Sequence, residues 1–106
     1  MRPIGNKINR ASSTRVEETA SLDQEILRLE DSIRKLKIDF DIFLNGAAKR
    51  PPLEARARLE SQIKRIADDR TLTYSQRYRL NSLVSRFTSY RELWRRSLKA
   101  RGEELI

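Results

Sequence analysis

The chain has 106 residues, a net charge of +8, no cysteine and no histidine. A chain of this length makes one domain with a small core, and the missing residue types exclude disulfides, thiolate chemistry, Ser-His and Cys-His machinery and the commonest zinc ligands. Charged residues are 36% and hydrophobic ones 38%, with only three Gly and three Pro, a balance that points to an all-α protein; no cofactor is expected.

Residues 1–15 carry Pro3, Gly5, two Asn and a Ser-Ser-Thr cluster with basic but no acidic side chains, and are expected to form a flexible basic N-terminal arm. The arm has two readings, a frayed terminus and a tail that orders on a polyanion. No run in the sequence has the length of a signal peptide core or approaches the ~20 apolar residues of a membrane span. The expected location is cytoplasmic, with no membrane partner.

From about Val16 the pattern changes to Leu22, Ile26, Leu29, Ile33, Leu36, Phe40 and Phe43. These alternating spacings of four and three are a heptad seam and predict a first helix over about 16–45. A parallel homodimer on this seam would set Glu25 against Glu30 of its mate, so an arginine-bearing helix is the better neighbour. Ile38, Ile42 and Leu44 widen the apolar surface, as expected where a helix meets two neighbours. Asn45-Gly46 supplies a left-handed C-cap.

Pro51-Pro52 forbid helix continuation backwards and suit the opening of a second helix over about 53–69, with Ala55, Leu59, Ile63 and Ile66 buried. Thr73 and Gln76 match a capping box that opens a third helix over about 73–101, before Gly102 and a tail at 102–106. On that helix Leu80, Leu83, Val84, Phe87, Tyr90, Trp94 and Leu98 share one arc, flanked by Arg79 and Arg86 on one side and Arg77, Arg91 and Arg95 on the other. Arg79, Arg86 and Arg91 are placed to reach the acidic flanks of the first helix. The fold expected is a three-helix antiparallel bundle, or a helical hairpin, with long first and third helices and a short second.

The long helices span roughly 42 Å each and the second about 25 Å. The mismatch predicts that the first helix overhangs at its start and the third at its end, leaving Leu22, Ile26, Leu29, Tyr90, Trp94 and Leu98 as the candidate surface for a protein partner or a second copy. The alternative for Trp94 is a core position covered by a bent first helix or by the tail.

Catalysis has no obvious seat. Neither a Gly-rich phosphate loop nor a metal-ligand spacing occurs. Glu17-Glu18, Glu30-Asp31 and Asp68-Asp69 are neighbours whose side chains point apart on a helix. The chain is therefore expected to be no enzyme and to have no small-molecule substrate. Positive charge, by contrast, is concentrated: residues 1–44 hold eight basic and eight acidic side chains, residues 45–106 fifteen basic and seven acidic. The first expectation is a protein-interaction or regulatory module docking through its overhanging seams. The alternative is an RNA- or DNA-binding protein, ribosome-associated in one version, that uses Lys49, Arg50, Arg56, Arg58, Lys64, Arg65, Arg95, Arg96, Lys99 and Arg101 on phosphates. In the alternative, Tyr74 and Tyr78 stack on bases; otherwise they pack against a loop.

The stretches LKIDFDIFLNGAAKRPP and LTYSQRYRLNSLVSRFTSYRELWRR, with the Asp41 to Gly46 turn, the Arg50-Pro51-Pro52 break, Gln76-Arg77, Asn81 and Leu93-Trp94-Arg95, resemble a largely uncharacterised bacterial family. In it a similar segment forms the C-terminal domain of proteins labelled actin-like regulatory proteins. The resemblance covers about residues 34–101, with Leu44 where members have a second aromatic, and larger members carry further domains. It implies a regulatory interaction role and carries over no catalytic residue.

Overall fold

The computed structural model describes the backbone of residues 2–102 and the side chains of 16–102. It is a bundle of three helices, α1 (Arg2–Leu44), α2 (Leu53–Ala67) and α3 (Tyr74–Ala100). The second and third match the expected ranges to within two residues. The first starts earlier: α1 runs through the stretch where an arm is expected. Pro3 stands in its first turn, where a missing N–H breaks no hydrogen bond. The side chains of 1–15 and the tail residues 103–106 lie outside the described residues.

The chain reversals are written in local chemistry. After α1 the Ala47 N–H donates to the Ile42 carbonyl and the Gly46 N–H to that of Phe43, both at 3.0 Å, the paired bonds of a Schellman cap. Gly46 has φ +87° there, a conformation that favours glycine. Pro52 is the N-cap of α2. In the connection 68–73 Asp69 Oδ1 accepts from the Thr71 N–H at 2.8 Å and its hydroxyl at 2.6 Å, which holds the Asp69 carboxyl below its usual range. The capping box at the start of α3 is complete in both directions: Gln76 N–H to Thr73 Oγ1 at 3.1 Å, and Thr73 N–H to Gln76 Oε1 at 2.9 Å.

Gln76 also fixes the register of the bundle. Its Nε2 donates to the Thr19 carbonyl at 3.0 Å and to Asp23 Oδ1 at 2.8 Å, so this buried amide is bonded at both ends and ties the start of α3 to α1. From there α3 runs parallel to α1: Arg79 meets Glu30, Trp94 stacks on Phe40, and Arg101 lies over Phe43. α2 runs the other way, with Ala55 beside Asp39 and Arg65 on Glu25.

All seven seam residues of α1 are buried, with Leu59 and Ile66 of α2 and Leu80, Leu83, Phe87, Trp94 and Leu98 of α3. Trp94 is the hub of an aromatic cluster. It stacks on Phe40 with centroids 4.1 Å apart and planes 10° apart, lies 5.8 Å from Tyr90, and meets Phe87 edge-on at 6.3 Å.

This register corrects the expected overhang. Leu22, Ile26, Leu29, Trp94 and Leu98 are each at most 4% exposed, and Tyr90 is half-buried against Trp94. They form the interior, not a partner surface. Because α1 beyond Thr19 and α3 are parallel and level, each covers the other's end, and the short α2 sets no offset between them. A second correction concerns the widened apolar surface. Leu44 packs on the core, but Ile38 and Ile42 remain 52% and 42% exposed.

Candidate nucleic-acid interface

Arginines at the borders of a core stripe can pair with the protein's own carboxylates or stay open to a partner, and here they divide. Four cross between helices: Arg65 to Glu25 at 3.0 Å, Arg79 and Arg86 to Glu30 at 2.8 and 3.9 Å, and Arg91 to Glu60 at 3.3 Å. Arg79 and Arg86 thus reach the first helix as expected. Arg91 does not; it faces α2 and pairs there. The Glu30 carboxyl is held below its ordinary value chiefly by the Arg79 hydrogen bond, against some desolvation, with further pull from the charges of Arg79, Arg34 and Arg86.

The excess of positive charge sits at one end. Where α1 ends, α2 begins and α3 ends, residues 34–60 and 88–102 carry twelve basic side chains and five acidic. The opposite part, residues 16–33 and 61–87, carries seven basic and eight acidic. Eight of the ten expected phosphate contacts fall at the basic end: Lys49, Arg50, Arg56, Arg58, Arg95, Arg96, Lys99 and Arg101. Lys64 and Arg65 do not. They lie towards the far end of α2, and Arg65 is bound to Glu25.

Within the basic end the cations are unequally free. Arg58 stands 4.0 Å from Glu54. Glu92 holds Arg95 at 2.6 Å and Arg96 at 3.4 Å, and the Arg95 hydrogen bond leads the depression of the Glu92 carboxyl below its usual range. Arg101 is engaged with the Phe43 ring at 4.8 Å. Lys49, Arg50 and Lys99 are exposed and have no carboxylate within ion-pair distance among the described residues. Arg56 is half-buried one turn from Glu60 on α2, and its Nε is buried without a hydrogen bond, as is Glu60 Oε2.

Tyr74 and Tyr78 lie elsewhere. They are 92% and 71% exposed at the start of α3, at the charge-balanced end, so neither packs away against a loop and neither joins the cation cluster. The basic end therefore offers charge without aromatic platforms. Beside it an open groove of about 380 Å³ runs between α1 and α2, with Lys35, Asp39 and Arg58 among its lining.

Sequence periodicity gave no warning of Gln76 as an inter-helix clamp, or of Glu60 as the partner of Arg91. A glutamine in a capping box and a glutamate on a solvated face look ordinary until a neighbouring helix is placed. Among the described residues no cluster of His, Cys, Asp or Glu could hold a metal ion, and no helix is long and apolar enough to cross a membrane. No family model matches the chain, and neither a curated protein nor a solved structure matches it, so the resemblance over 34–101 gains no support from these comparisons.

Proposed function

We propose that this chain is a non-enzymatic binding module that grips the phosphate backbone of a nucleic acid with its basic end. The observation that carries this reading is the convergence of three separate segments, the end of α1 with the 45–52 connection, the start of α2 and the end of α3, into a region with twelve cations to five anions. Within this region Lys35, Lys49, Arg50, Arg56 and Lys99 are the side chains with no carboxylate at ion-pair distance among the described residues. Holding like charges together disfavours the compact state through self-repulsion. A polyanion relieves that repulsion and releases its own counterions.

The test is the affinity for a generic RNA duplex, by fluorescence anisotropy, across salt from about 50 to 300 mM. The logarithm of the association constant is expected to fall linearly with the logarithm of salt. Lys49→Gln, Arg50→Gln and Lys99→Gln together should flatten the slope by about two to three, at roughly 0.9 for each phosphate no longer neutralised. Lys64→Gln, at the other end, should leave it unchanged. Equal slopes for the triple and the Lys64 variant remove this reading.

The regulatory protein-interaction reading keeps one supporting observation. With the seams inside, its surface is the outer face of α1, where Leu27, Ile38 and Ile42 are 41%, 52% and 42% exposed.

A further inference from the structure

That outer face has an internal order that the core stripe conceals. At 100° per residue, Ala20, Leu27, Asp31, Arg34 and Ile38 fall within about 60° of arc, on the side of α1 turned away from α2 and α3, with Ile42 just beyond. Asp31 and Arg34, at its centre, are 74% and 62% exposed and bind each other at 3.0 Å. The strip is also symmetric in a specific sense. Leu27 and Ile38 are equidistant from the midpoint between Ser32 and Ile33, and so are Asp31 and Arg34.

We infer that α1 pairs with α1 of a second copy of this chain, antiparallel, about a two-fold axis at that midpoint. The operation sets each Leu27 level with Ile38 of the other copy and each Asp31 level with the other copy's Arg34. One apolar layer and one charge-complementary layer thus occur twice, as an isologous interface requires. A parallel pair would instead oppose Asp31 to Asp31 and Arg34 to Arg34, which selects against that orientation. A foreign helix needs no such palindrome, and this is why a second copy is the occupant. Arg28 and Lys35, on the α2 side of the strip, face each other across the pair and repel. Two apolar layers over a helix contact of roughly 36 Å therefore give a reversible dimer at the small end of stable interfaces. The proposal does not rest on the phosphate-binding reading, since Lys49, Arg50, Arg56 and Lys99 lie outside the strip.

The experiment is sedimentation equilibrium of the whole chain. The wild type is expected to pass from 12.5 kDa to about twice that mass within the micromolar-to-millimolar range. Asp31→Arg and Arg34→Asp each place four like charges at the axis, so each alone should weaken association at least about tenfold. An equimolar mixture of the two should recover the dimer, because the arginines of one chain then meet the aspartates of the other. Within either variant positions 31 and 34 carry like charges, so recovery cannot arise from repair of an intrachain pair. Leu27→Cys mixed with Ile38→Cys should give a mixed disulfide, easily read because the chain has no cysteine. Both sites are exposed, so helicity and melting should stay close to wild type and report folding independently. A wild type that stays monomeric to about 1 mM, or single variants that dimerise like wild type, overturns the proposal and leaves the strip to a different partner.

Discussion

The two ends of the bundle are built from the same helices and held together by different physics. At the start of α3 the charges balance. Gln76 bridges to Thr19 and Asp23, Arg79 and Arg86 share Glu30, and Arg65 takes Glu25. At the far end cations outnumber anions more than two to one, and the helices are held by rings, with Trp94 on Phe40, Tyr90 and Phe87. One end commits its polar groups to the fold. The other is fastened mainly by apolar contact, with Arg91 to Glu60 as its cross-helix ion pair, and it leaves Lys35, Lys49, Arg50 and Lys99 without a carboxylate partner among the described residues. That division is what permits a small, strongly basic protein to remain folded while carrying an unneutralised surface.

The sharpest way to break the comparison is to remove the aromatic fastener. Trp94→Ala deletes the hub of the cluster and should cost about 3–5 kcal/mol, a large share of the roughly 5–15 kcal/mol typical of a whole domain. Urea unfolding followed by far-UV circular dichroism measures it; a loss below about 1 kcal/mol means the basic end is held by something other than its rings. If Trp94 were a partner anchor, the free chain would hardly notice the change. Gln76→Ala comes next, at about 1–3 kcal/mol, since it removes half of a capping box and leaves Asp23 and Thr19 without their inter-helix donor. Gln76→Glu keeps the backbone cap acceptor but sets a carboxylate near Asp23. It should be at least as damaging as Ala, an order that a simple capping role would reverse.

How far residues alone lead is visible in these same side chains. Trp94 declares itself apolar and helical in phase with Phe87 and Leu98, and the capping box marks where its helix begins, so three helices and nearly the whole core are legible. The vertical alignment of the helices is not. It depends on Gln76 Nε2 reaching Thr19, fifty-seven positions away, and periodicity carries no information about which turn of one helix sits beside which turn of another. For that reason Leu22 and Leu98 could be identified as apolar but not as covered, and Ile38 as apolar but not as exposed. The basic end was legible only as ten cations scattered along the second half of the chain. Which eight share an end follows from the direction of α2, because Lys64 and Arg65 are separated from Arg56 and Arg58 by about two turns of helix.

A smaller effect should come from neutralising the free cations. Lys49→Gln, Arg50→Gln and Lys99→Gln together are expected to change stability by no more than about 1 kcal/mol, and in the stabilising direction, since each removes self-repulsion from a solvated position. Chemical denaturation at low and high salt separates the two contributions: the gain should fade as salt rises. A destabilisation that persists at high salt means these side chains are packed into the fold.

The smallest effect concerns the balanced end and pH. Glu30 takes Arg79 and Arg86 from a different helix, so its lowered carboxyl pKa belongs to the folded state and is lost on unfolding. A carboxylate with a depressed folded-state pKa adds stability that is fully present above its unfolded value, near 4.5, and that disappears as pH falls through the folded value. The window therefore lies below about 4.5 and closes on the acid side. Glu92 is also lowered, but its partners Arg95 and Arg96 stand three and four residues along the same helix, so it reports helix formation rather than the docking of two helices. Glu30→Gln should cost no more than about 1 kcal/mol at neutral pH, because Arg79 and Arg86 are half exposed and solvent screens the pair. Its diagnostic is the slope: as pH falls from about 4.5 to about 2.5 the variant should lose less stability than wild type, and the two should converge at the acid limit. Parallel curves across that range would mean that Glu30 does not couple α1 to α3, and that the Gln76 clamp and the core hold the balanced end without it.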